Sequence, residues 1–92
     1  MADGITVAHR DDGSFDVEVR RGSTTSRHVV TVPADLAVRA ERPDADPVRM
    51  IEVSFEFLLE REPPSSILRS FDLDVIGRYF PEYPHELARR LA

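Results

Sequence analysis

The segment Arg20-Arg21-Gly22-Ser23-Thr24-Thr25-Ser26-Arg27-His28 gathers three guanidinium groups, an imidazole and four hydroxyls, with no acid between them. On a hairpin tip that set could hold a phosphate, because arginine presents a planar fork of N–H donors and the hydroxyls add short contacts. The plainer reading is a solvated tip, where charges keep strand edges from pairing with other chains. No aromatic residue is interleaved to stack on bases, so nucleic-acid contact rests on Arg20, Arg21, Arg27 and His28 alone.

A second candidate is acidic. Glu52, Glu56 and Glu60 recur every four residues, which places them on one face of a helix. Such a stripe could dock a basic partner or hold a divalent cation weakly, or be an ordinary wet face. A cation site normally draws further ligands from a second element, and none is specified. His9, His28 and His85 share no metal-ligand or acid/base spacing. Asp72 and Asp74 read as helix caps rather than as an acid/base couple. The chain has no Cys, no G-x-S-x-G and no glycine-rich phosphate loop. It offers no thiol nucleophile, disulfide or Cys-ligated metal, so the expectation is no enzyme, no catalytic residue, no metal and no cofactor.

Composition narrows the class. Ninety-two residues, 41% hydrophobic and 32% charged, suit one small folded unit with a single core. All twelve basic residues other than histidine are Arg; Lys, Asn and Gln are absent. A GC-rich coding sequence accounts for that bias, and selection for forked Arg contacts is the alternative. The net charge of −5 is concentrated in residues 33–62, which carry four Arg against eight acids. An acidic middle disfavours a broad nucleic-acid face. No run reaches the roughly 18–20 apolar residues of a membrane span. Met1-Ala2-Asp3-Gly4 lacks the basic-then-apolar order of a secretory signal. A cytoplasmic location is expected.

Three elements in residues 5–32 would position the arginine-rich segment. Ile5, Val7 and His9 alternate with Thr6 and Ala8; Phe15, Val17 and Val19 alternate with Asp16, Glu18 and Arg20. A period of two means half-buried strands. Asp11-Asp12-Gly13 and Gly22 to Ser26 read as the turns, and His28–Val32 as the third strand. These predict a three-stranded antiparallel meander. Residues 34–42 read as a short helix after Pro33.

The main helix is predicted over 47–62, with Asp46 as its N-cap and Pro47 in its first turn. At 100° per residue, Val48, Ile51, Phe55, Leu58 and Leu59 form one apolar arc, and Met50, Val53 and Phe57 a second, nearly opposite. Two seams demand cover on two sides, from the C-terminal residues or from a second subunit. Pro63-Pro64, Pro81 and Pro84 divide residues 65–91 into short helices. The stretch 66–80 also has the outline of a helix-turn-helix, but its second element, counted with the preceding Asp72, carries one Arg and two Asp, poor material for reading a major groove.

The stretch FLLEREPPSSILRSFDLDVIGRYFPEY resembles a pattern of small bacterial proteins of no assigned function, over roughly residues 50–83. There a hairpin-rich half precedes a helix ending L-L-E-R-E-P, followed by S-I-L-x-x-F-D-L-x-V-I-x-R-Y-F-P. The resemblance implies a shared fold and brings no catalytic or binding residue. The sheet-then-helix order also looks like small dimeric antitoxins and transcription regulators, in architecture only.

The resulting expectation is an α+β unit: the meander on the main helix, with short C-terminal helices behind. The leading function is a non-enzymatic interaction module, homodimeric, with its interface at Met50, Val53, Phe57, Tyr79, Phe80 and Tyr83. The alternative is a nucleic-acid-linked regulator using the arginine-rich turn. The expected partner is a second copy or another protein, and no membrane.

Overall fold

A computed structural model describes residues 4–92. Met1, Ala2 and Asp3, on which the expectation about a secretory signal mostly rests, lie outside them. Strands β1 (Gly4–His9), β2 (Phe15–Arg21) and β3 (Thr24–Thr31) form the antiparallel meander. Helices α1 (Leu36–Arg39) and α2 (Pro47–Leu59) follow. A 3-10 turn (Pro64–Ser66), strand β4 (Ser70–Asp72), α3 (Asp74–Tyr79) and α4 (Tyr83–Leu91) complete the chain.

The fold is α+β, and its sheet differs from the expected one. It has four strands in the order β1-β2-β3-β4, and β4 runs parallel to β3 with Val29 opposite Ser70 and Thr31 opposite Asp72. A parallel neighbour needs a long crossover, and the chain supplies one through α1 and α2. Three residues are too few to show a hydrophobic period, so β4 leaves no mark in the pattern. Its formation also removes the helix-turn-helix outline, because Ser70–Asp72 pairs as strand.

The second hairpin is tighter than expected. Arg21 pairs with Thr24, so the turn is only Gly22-Ser23. Gly22 has φ +58° and Ser23 does not share the positive sign, which is the pattern of a II′ turn with glycine in the first central position. Residues 24–26, expected as turn, are therefore strand, and β3 takes in Arg27 as well. The expected helix over 34–42 contracts to Leu36–Arg39. It ends in a Schellman motif: Glu41 N–H donates to Val38 O (2.9 Å) and Arg42 N–H to Ala37 O (2.8 Å).

Helix α2 begins as its sequence predicts. Asp46 accepts the Val48 N–H at 3.2 Å, and Pro47 occupies the first turn. It ends at Leu59, short of the expected Glu62, as the Arg61 and Glu62 N–H groups both turn back to Leu58 O ahead of Pro63. Both apolar seams are filled from within the chain. On the sheet side Ile51, Phe55 and Leu58 meet Phe15, Val17, Val19 and Val30 in one buried cluster. On the other side Phe57 contacts Phe80 and Tyr83, with ring centroids 5.6 Å apart in each pair. The helix is thus the middle layer between the sheet and α4.

Candidate functional site

The six residues expected at an interface divide. Met50, Val53, Phe57 and Tyr83 are each 1% exposed, so they are core, and the second seam is closed by α4 rather than by another subunit. Three of the six aromatic residues of the C-terminal half, Phe57, Phe80 and Tyr83, meet in that closure. Tyr79 is 69% exposed, and Phe80 is half-buried with its ring edge on Phe57.

These two line an open groove of about 470 Å³ with Leu58, Ile67, Leu68 and Phe71. The elements that build it are short ones. Pro64 starts the 3-10 turn that leads Ile67 into the core and leaves Leu68 out; α3 then presents Tyr79 on the opposite rim. Leu68 is about half exposed, so two of the three large exposed apolar side chains among the described residues sit here; the third, Val38, is on α1. Glu62 is the acid in the lining. The signal for Leu68 in the sequence is its place beside a proline-started turn, too short to have an apolar face of its own.

The arginine-rich segment is also divided, by strand alternation. Glu18, Arg20, Thr25 and Arg27 lie on the outer face of the sheet, where Arg20 and Arg27 both reach the Glu18 carboxylate at 3.3 Å. Arg21 is on the other face. His28 is buried, its ring 5.3 Å from that of Phe55. One ring nitrogen lies 2.7 Å from Leu68 O, and the other 2.9 Å from the Ser26 hydroxyl. Both being engaged inside the fold, His28 is a strut between β3 and the Leu68 segment, not a phosphate contact. Arg69 joins Arg20 and Arg27 around a common groove, although it is far away in sequence.

The acidic stripe is largely paired. Glu52 meets Arg49 at 3.6 Å, and Glu60 meets Arg90 at 2.6 Å, a bond that holds the Glu60 carboxyl below its ordinary range. Glu56 is exposed. Asp72 accepts the Asp74 N–H at 2.9 Å at the entry to α3 and the Thr31 hydroxyl at 2.8 Å, while Asp74 takes the Arg39 guanidinium at 2.8 Å. His9 is exposed beside Phe15, and His85 is exposed on α4. Among the described residues no three His, Asp or Glu side chains are grouped to hold a metal ion, and no helix is long and apolar enough to cross a membrane.

Comparison with protein-family models, with curated proteins and with solved structures found no match to this chain.

Proposed function

We propose that this chain is a non-enzymatic interaction module that pairs with a second copy of itself through the Leu68, Tyr79 and Phe80 groove. The observation that carries the reading is Tyr79, a large side chain left 69% exposed on the rim of an apolar groove. A two-fold contact needs one surface that fits itself. A projecting ring beside a recess meets that need, since each Tyr79 can enter the partner's groove. Charge agrees with it. Glu62 lines the groove and Arg78 precedes Tyr79, and neither has an ion-pair partner among the described residues. Across a two-fold axis each can face the other. Aromatic residues in an apolar recess are also the usual material of interface centres.

The nucleic-acid alternative has less support. Of its four residues, Arg21 lies on the opposite face from Arg20 and Arg27, and His28 is buried.

Light scattering and sedimentation velocity from micromolar to millimolar concentration test the proposal. The wild-type chain should sediment as a dimer and Tyr79→Glu as a monomer with an unchanged circular dichroism spectrum and a melting temperature that no longer rises with concentration. A wild-type chain that stays monomeric throughout overturns the reading.

A further inference from the structure

The sheet is left unfinished along β3. β4 pairs only with Val29, Val30 and Thr31. The Val29 N–H points away from β2 and donates to Arg69 O at 2.7 Å. By strand alternation the N–H and C=O groups of Thr25 and Arg27 point to that same side. Among the described residues no backbone group pairs with them there. The chain from Pro64 to Arg69 stands off from this edge, and the groove between them, about 760 Å³, is lined by Glu18, Arg20, Arg27, Ser26, Ser65 and Arg69.

The sign of this slot is set by three guanidinium groups against one carboxylate. Arg20 and Arg27 share Glu18, and Arg69 has no acidic partner among the described residues. The Arg27 side chain is 82% exposed. In a chain with a net charge of −5, this is a local concentration of positive charge beside unpaired backbone.

We propose that the open half of β3 receives an extended, acidic segment of a partner protein as an added strand, in line with β4. Its backbone would pair with Thr25 and Arg27, and acidic side chains on alternate positions would meet Arg20 and Arg27 on the outer face, with Arg69 at the end of the slot. Strand addition takes its affinity from main-chain hydrogen bonds and its choice of partner from alternate side chains. A second copy is disfavoured, because two β3 edges related by a two-fold axis would bring like charges together. The other free edge, β1, has no such sign. It is flanked by Arg21 and Arg49 as well as by Glu52, Glu56 and Glu60.

The test is an amide-resolved NMR titration with the capped peptide Thr-Glu-Val-Glu-Val-Asp, with hydrogen exchange followed at Thr25 and Arg27. A peptide with Lys in place of each acid and a single-stranded oligothymidylate serve as comparisons. The acidic peptide should shift residues 24–29 and Arg69 and slow exchange of the Thr25 and Arg27 amides. Its affinity should fall about tenfold in Arg27→Glu and in Arg69→Glu, the loss of one charge-assisted contact. Equal binding of the Lys peptide, oligothymidylate binding without slowed exchange, or no response at millimolar acidic peptide would each overturn the proposal. None of these outcomes bears on self-association through Tyr79, which is read by sedimentation.

Discussion

The hydroxyl of Tyr83 lies 2.7 Å from the hydroxyl of Ser54, and both residues are buried. Ser54 donates to Met50 O, one turn back in α2, at 2.6 Å. Its oxygen is then free to accept from Tyr83, the first residue of α4. This short chain of donors is the polar fastening between the middle helix and the helix behind it. Burial pushes the Tyr83 phenol up, beyond the ordinary range of tyrosine, so it stays a neutral donor.

The two partners are not equivalent, and substitutions should show it. Tyr83→Phe removes one bond and leaves Ser54 satisfied by Met50, a loss of about 0.5–1.5 kcal/mol. Ser54→Ala strands a buried phenol hydroxyl and should cost about 1–3 kcal/mol. The double variant should be no worse than Ser54→Ala. Urea unfolding of the three proteins decides it; equal losses in the two single variants would mean that Tyr83 finds another partner.

Glu41 has φ +59° at the end of α1, a conformation that suits glycine. A residue with a Cβ loses roughly 1–2 kcal/mol there, and glycine's extra freedom in the unfolded chain returns part of the gain. Glu41→Gly should therefore stabilise the fold by about 0.5–1 kcal/mol, seen as a raised urea midpoint with unchanged slope. Glu41→Ala should bring no such gain, since it keeps the Cβ.

Asp46 caps α2 through the Val48 N–H. Asp46→Ala should lower stability by about 1 kcal/mol, and Asp46→Asn should lose less, because an amide oxygen can still accept. Thermal melts at neutral pH compare the two.

The C-terminal helix carries an acid-sensitive contact. Hydrogen bonds from Arg89, and then from Arg90, hold the Glu86 carboxyl at about 2, against an ordinary value of 4.5. A carboxyl depressed in the folded chain adds stability above its unfolded value, and that contribution is lost as pH falls from near 4.5 through about 2. The melting temperature of the wild-type chain should decline across that window. Glu86→Gln should start lower at neutral pH and converge on the wild type in acid. Parallel curves would show that Glu86 does not drive the acid limb.

Much of this architecture is legible in the chain itself, for physical reasons. Phe15, Val17 and Val19 alternate with charged residues, and a period of two allows one burial geometry only. Asp46-Pro47 starts a helix locally, through an acceptor side chain and a preset φ. The two apolar arcs of α2 require two covers, whatever supplies them. Such signals depend on neighbours within a few residues, and they survive into the fold.

The candidate surfaces belong to another class. Whether Met50, Val53 and Phe57 meet α4 or a partner depends on where the chain goes after Pro63-Pro64, and the pattern of α2 is the same in either case. Pairing of β3 with a three-residue β4 is a contact across some forty positions, too short to have a period of its own. His28 becomes a strut because Leu68 O is carried to it, and Arg69 joins Arg20 and Arg27 by the same passage of chain. The sequence by itself determined the first two strands, the start of the main helix, the faces of both and the absence of thiol chemistry, because these follow from local stereochemistry and residue type. Only the tertiary structure decided which faces are covered. Cover depends on long-range packing, where the same apolar side chain can serve as core or as interface.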